Sequence, residues 1–413
     1  MSIESFRFLH ASDFHLDQAP GGITELQDGL IPHLIEATYK AVDSVFDTAI
    51  RERVDFVLLS GDIIHFPTAS PRALEFLSAQ FERLHEKKIP TFWLGGELEA
   101  GASLPSDFRL PKSVQRMPTS RVQTLEVKKE RRTIAYIVGQ SSGGHGYANL
   151  DEMRVPRDGR FFVGMWYCHQ PPEQLDSDLL DDLGIDYWAF GGSHKQSTLQ
   201  TIIPAHFCGT PQGRMPIEPG PHGCMLVKVT GDQIDDALFI ETDALRYRTE
   251  RIDVGPNDDR QQLISKIKSR MQTIRHEVEA RKPLLVTWEI NADGPLGKQL
   301  RDADEVDAFL EQVRRETRDA ASKNTFTIGL RSTRGHVPGQ LFEEDTIIGD
   351  FLRVVREMES SADPTFDFES YLPNTSTARQ LAETLRLETP AARKQLLREV
   401  TTMGIDMLSG DKP

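Results

Sequence analysis

The stretch FLHASDFHLD, residues 8–17, decides how the chain is read. A short apolar run stops at Asp13-Phe14-His15, placing a carboxylate and an imidazole two residues apart at the tip of a strand. That spacing suits a metal site. Further along, VDFVLLS (54–60) is the near-continuous apolar run of a strand covered on both faces, and it runs into Gly61-Asp62. A third run, IPTFWL (89–94), ends in GGELE, which carries Glu97 and Glu99. Between these runs, Leu34, Ala37, Ala41, Val45 and Ala49 recur at helical spacing over 31–53. Ser70-Pro71 is an N-cap and first-turn pair that opens a helix over 70–88. Strand, helix, strand, helix, strand is the pattern of a layered α/β domain.

Downstream the pattern changes. RVQTLEVKKERRTIAYIVG (121–139) predicts a hairpin turning at its charged centre. Strands follow at 160–167, 186–190, 201–207, 224–230 and 236–241. Few helices separate them, so a second sheet packed on the first is expected, with antiparallel tips meeting the parallel tips of the first. From about residue 250 helices alternate with strands at 283–291 and 325–331. This divides the chain into a domain at 1–245, a small α/β domain at 250–358 and a C-terminal helical segment at 376–410. In the last of these, Leu396, Val400, Met403 and Met407 form one face.

Composition narrows the class. At 413 residues the chain exceeds one ordinary core. A net charge of −15 argues against a surface coated for non-specific nucleic-acid binding, but leaves room for a local metal or a basic groove. Cys168, Cys208 and Cys224 are odd in number and widely spaced, which fits small buried hydrophobes and a reducing cytoplasm. No apolar stretch is long enough to span a membrane, and the first residues lack the pattern of a secretory signal.

Polar residues gather at strand ends: Asp13, His15, Asp62, His169 after FVGMWYC, and His194 after DYWAFGGS. Ligands of open α/β sheets collect at such carboxyl ends. Mixed carboxylate and imidazole donors suit manganese, iron or zinc better than calcium. Two such ions bridged by one carboxylate would clamp a phosphoryl group. Singly, each residue reads as an ordinary loop histidine or helix cap. Jointly and in this order they point to a site.

The series DFH, GDIIH, GGELE, CHQ and GGSHK resembles the motifs of calcineurin-like metallophosphoesterases, in particular the SbcD/YhaO type of DNA-repair exonucleases. DDLGIDYWAFGGSHKQ followed by FCGTPQGRMPIEPGPHGCMLVKV carries the sharpest likeness, and the whole resemblance spans residues 6 to about 230. It implies a four-layer α/β/β/α sandwich with a small α/β capping domain and C-terminal helices. It also implies a cytoplasmic, manganese-dependent nuclease (or one using Fe2+, Zn2+ or Mg2+) that hydrolyses DNA phosphodiesters with a metal-activated water. The implied partners are DNA, an SbcC-like coiled-coil ATPase held by the C-terminal helices, and a second copy in a homodimer, with no membrane.

The resemblance implies a first ion held by Asp13, His15, Asp62 and His194. A second would use Asp62 and His169, but the family's Asn position is Gly96 and its other His position is Gly192. The family's catalytic His position is Glu97. Glu97 and Glu99 are candidate substitute ligands by reach, and Arg214 either contacts phosphate or DNA or stabilises its loop. The weaker candidates His65, His145 and His222 read as loop histidines, and Lys128, Lys129, Arg131 and Arg132 as a basic hairpin tip. A carboxyl at 97 would serve as an acid only if buried. Two expectations follow. Either a remodelled centre hydrolyses phosphodiesters, or an impaired family member binds DNA ends or an ATPase partner with a single ion.

Overall fold

The computed structural model of the 413-residue chain describes residues 5–360 except 24, 28, 101–102, 107, 144–148, 256, 278–281, 293, 301, 318–323 and 334–338, together with 396–397, 400–401, 404–405 and 407–408. The segment expected at 376–410 therefore falls largely outside the described residues, as does His145. The elements divide into two compact units. One comprises Met1–Thr249, Val278–Val286 and Asn324–Ile328, and the other Glu250–Glu277, Thr287–Lys323 and Gly329–Pro413.

In chain order the first part runs β1 (Ser5–Ala11), α1 (Ile31–Arg51), β2 (Phe56–Ser60), α2 (Pro71–Glu86), β3 (Thr91–Leu94), β4 (Val114–Arg116), β5 (Gln123–Lys129) and β6 (Arg132–Gly139). There follow β7 (Phe162–Tyr167), α3 (Ser177–Asp182), β8 (Tyr187–Gly191), β9 (Ser197–Thr198), β10 (Ala205–Phe207), β11 (Gly223–Thr230) and β12 (Gln233–Glu241). One six-stranded sheet has the order β12-β11-β1-β2-β3-β4, and another the order β5-β6-β7-β8-β10-β9.

Period-two alternation sorts each strand between layers. Leu9 and Ala11 of β1, Val57 and Leu59 of β2 and Trp93 of β3 pack against Val42, Val45 and Phe46 of α1 and Leu77 and Phe81 of α2. The intervening residues Phe8, Phe56, Leu58, Phe92 and Leu94 face the second sheet. There they meet Ile137, Val163, Met165, Tyr167, Tyr187 and Ala189. The outer face of the second sheet, with Phe162, Trp166, Trp188 and Phe190, is covered by Leu180 of α3 and by Leu183 and Ile185. Helix, sheet, sheet, helix is the expected sandwich. Burying three such layers supplies its cohesion, at roughly 25 cal/mol per Å² of apolar surface removed from water.

Two expectations change. The second sheet is not antiparallel at its tips: β6, β7, β8 and β10 run parallel, and only its outer strands β5 and β9 reverse. The connections between these strands return the chain to the starting edge, as parallel pairing requires. The strand expected at 201–207 begins only after Pro204, which has no N–H to give a ladder.

Three further strands, β13 (Arg246–Val254), β14 (Leu284–Ala292) and β15 (Thr325–Thr333), form a three-stranded sheet. The sequence reading missed β13, in which charged residues alternate with few apolar ones. In the second unit, the helix Arg260–Glu277 buries Leu263, Ile267, Met271 and Ile274 on one side. The helix Ala303–Glu316 is capped by the Asp302 carboxylate, which accepts from the backbone N–H groups of Asp304 and Glu305. Among the described residues, no helix is long and apolar enough to cross a membrane. The three cysteines are free and buried.

Candidate metal centre

The loops after β1 and β2 are zipped together by backbone bonds. Asp13 N donates to Gly61 O, His15 N to Asp62 O and Leu16 N to Ile63 O, each at 2.9 Å. Asp13, His15 and Asp62 all sit in the left-handed backbone region, with φ of 53°, 44° and 52°. Each such non-glycine residue stores on the order of 1–3 kcal/mol of strain, held in place by its surroundings. These turns bring Asp13 and His15 to one spot and leave Asp62 beside it.

At that spot Asp13, His15 and His194 bring one ligand atom each to within 4.8 Å of one another. The two imidazoles present Nε2 to Nε2 at 2.9 Å, their rings nearly perpendicular. Two nitrogens aimed at each other beside a carboxylate are what a shared cation gathers. His194 Nδ1 donates to Glu218 Oε1 at 2.7 Å, which leaves Nε2 as the ligating nitrogen. Asp13 is held by Ser12 Oγ and by the Gly192 N–H, 3.1 Å from both carboxylate oxygens.

Burial pushes Asp13 up to about 7, with Asp62 adding to it. His15 is driven far down by burial, and next by the Arg214 guanidinium. Burial also works against a charged His194, but the Glu218 bond and the Asp13 charge outweigh it, so His194 lies above its ordinary value. The donor set fits one divalent cation.

Asp62 stands just outside this ring, its Oδ2 4.0 Å from His15 Nε2. Its oxygens have other partners: Leu98 N donates to Oδ1 at 2.9 Å and the Tyr167 hydroxyl to Oδ2 at 2.8 Å. His169 lies on the far side of Tyr167. Its Nε2 is 2.9 Å from the same hydroxyl and 3.2 Å from Glu97 Oε2, and its Nδ1 donates to Gly192 O. Glu97 is exposed, so the burial that an acid role requires is not present. Glu99 is buried and turned to the backbone, where its two oxygens accept from the N–H groups of Asp62, Ile63, Ile64 and Gly96.

Arg214 reaches the centre from the loop after β10. Its Nη2 donates to Gln18 Oε1, while Nη1 is buried without a partner. Elsewhere, His65 bonds Thr68, and His222 is buried between Thr210 and the Glu218 carbonyl. At the hairpin tip, Lys128 pairs with Glu126 and Lys129 with Asp55. The sequence reading missed Tyr167 and Glu218. A signal for the first existed: Val163, Met165 and Tyr167 share one parity, and that parity faces the other sheet.

Residues 6–196 match the family model for calcineurin-like phosphoesterase. They form a calcineurin-like phosphoesterase domain. The curated metallophosphoesterase YhaO of Bacillus subtilis (strain 168), itself uncharacterized, is 33% identical over 237 residues, which cover 55% of this chain and 58% of that relative. A solved dimetal phosphatase from Danio rerio shares 12% identity over 57% of this chain and 97% of its own, with a TM-score of 0.34, a likeness too weak to carry anything further. The phosphoesterase domain thus holds every candidate ligand, Asp13, His15, Asp62, His169 and His194. Glu218 and Arg214 lie beyond the match and complete the centre from the following loop.

Proposed function

We propose that the chain hydrolyses phosphodiester bonds, with DNA as its substrate, at the centre formed by Asp13, His15 and His194. The observation that carries this reading is Arg214. Its half-buried guanidinium stands beside a convergent Asp/His cluster with one donor, Nη1, left without a partner, so a small turn of the side chain would offer that donor to a phosphoryl oxygen. A divalent cation bound there would supply positive charge and lower the pKa of its water, the chemistry this family uses. The chain's own groups then have distinct tasks. Asp13, His15 and His194 hold the cation, and manganese is the ion we favour. Glu218 fixes His194, and Arg214 orients the phosphate. Asp62 and His169 flank Tyr167 at the side of the site.

DNA as substrate rests on the likeness to the SbcD/YhaO type, and so does a cytoplasmic, repair-linked role. On the same footing, residues 376–410 would dock a coiled-coil ATPase. A second reading is favoured by Glu97. It stands where the family has its catalytic imidazole and is exposed beside His169. Losing a positioned acid or stabilising group typically lowers rates by ~10²–10⁴. On that reading the chain binds DNA ends or an ATPase partner with a single ion and negligible hydrolysis.

The test is hydrolysis of an aryl phosphodiester and of linear duplex DNA after loading with manganese, beside His15→Ala. Activity lost in the variant supports the enzyme. Equal rates for the two proteins remove it and leave the binding reading.

A further inference from the structure

Two side chains remain for a second ion, Asp62 and His169, and something already lies between them. The Tyr167 hydroxyl is 2.8 Å from Asp62 Oδ2 and 2.9 Å from His169 Nε2. An ion shared by that oxygen and that nitrogen would stand about 2.0–2.2 Å from each. The phenol oxygen and such an ion cannot occupy the same space.

The ring that delivers this hydroxyl is locked in place. Tyr167 is 2% exposed at the end of β7. A Cβ on Gly96 would lie 2.6 Å from Tyr167 Cε2 and 2.4 Å from Asp62 Oδ1, and a Cβ on Gly61 would lie 2.5 Å from Tyr167 Cδ2. The ring therefore passes through the space that a ligating side chain at 96 would use. On the other side, a Cβ on Gly192 would meet the Cys168 carbonyl oxygen at 2.3 Å. Gly61, Gly96 and the Tyr167 ring thus form one steric unit, while Gly192, at the other missing ligand position, is closed off by the Cys168 backbone.

From this geometry we infer that Tyr167 is a built-in occupant of the second ion's position, and that the centre takes a single divalent cation. The inference rests on the metal reading above and deepens it. Tyr167 is a positioning residue here. Its neutral hydroxyl spans Asp62 and His169 where a second cation would otherwise do so, and its ring keeps that cation out.

Metal content decides the matter without an activity assay. The metal-free chain is dialysed against Mn2+, and bound ion is counted by elemental analysis with electron paramagnetic resonance of the bound fraction. We expect one Mn2+ per chain with an uncoupled six-line spectrum. Tyr167→Ala, checked for folding by circular dichroism, should take up a second ion at millimolar Mn2+. Two ions or an exchange-coupled spectrum in the unaltered chain overturn the inference while leaving the hydrolase reading intact. A folded Tyr167→Ala protein that stays at one ion also overturns it, because the ring would not be what excludes the second. A count of zero overturns the metal reading and this inference together. The count on the unaltered chain is decisive even where the alanine variant does not fold.

Discussion

Oε1 of Glu218 lies 2.7 Å from Nδ1 of His194. The same carboxylate accepts the Arg214 N–H through Oε2. One partly buried side chain thus sets the tautomer of a ligand and the position of the residue proposed to hold phosphate. Outer partners of this kind typically contribute 10–100-fold to metal affinity. Glu218→Ala is therefore expected to weaken Mn2+ binding by about that factor in calorimetric titration. Unchanged affinity would show that His194 needs no orienting partner.

Metal affinity should depend on pH through Asp13. Without metal its carboxyl is raised to about 7 by burial and the neighbouring Asp62, so a proton must leave before an ion can bind. Affinity should rise by about tenfold between pH 6 and 8, and His194, also raised, adds in the same direction. Titration in two buffers of different protonation enthalpy counts the protons released. Finding none at pH 6.5 would contradict the expectation.

Glu99 holds the β2–β3 loops rather than facing the cluster. Burial raises it to about 7, with Asp62 adding, against the pull of its amide partners. Glu99→Ala leaves four backbone N–H groups of these loops without their acceptor. Removing the acceptor of a single buried donor costs ~1–3 kcal/mol, and these four act as one unit, so a loss of ~3–5 kcal/mol is expected. Urea unfolding measures it. A loss below about 1 kcal/mol would mean that the loops stand without this carboxylate.

Gly96→Ala tests the crowding beside Tyr167. The added methyl would lie within 2.4–2.7 Å of Asp62 and Tyr167 atoms. Overpacking of this kind typically costs 1–3 kcal/mol. Thermal and urea unfolding should both show it. A fully stable variant would mean that the ring moves aside easily.

His10 lies between the sheets, bonded to Tyr187 and to the Phe190 carbonyl. Burial, and then the nearby His206, lower it to about 3. The unfolded chain takes up this proton near pH 6.5 and the folded chain does not. The stability His10 contributes is therefore full above 6.5 and is lost as pH falls toward 3. The difference in unfolding free energy between the unaltered chain and His10→Gln should climb by about 1.4 kcal/mol per pH unit from pH 4 to 6.5, then level off. A flat difference would show that His10 is protonated in the fold.

Much of this was legible in the residues. The apolar runs at 54–60 and 89–94, the helical spacing of 31–53 and the polar residues at strand ends follow from local periodicity, which a sequence displays directly. Asp13, His15, Asp62, His169 and His194 were readable as one set of candidates because each follows a strand, but which three of them converge was not. Strand direction in the second sheet was not readable, since the apolar pattern is the same for parallel and antiparallel neighbours. Nor was the role of Glu99, whose partners are backbone amides that no sequence pattern marks.

The sequence by itself determined that carboxylates and imidazoles stand at successive strand ends and that positions 96 and 192 carry glycine. Only the tertiary structure decided what lies beside those glycines: the Tyr167 ring at Gly96 and the Cys168 carbonyl at Gly192. The reason is physical. Periodicity fixes the face on which a side chain lies, but which atoms share a volume depends on how two separate sheets are brought into register.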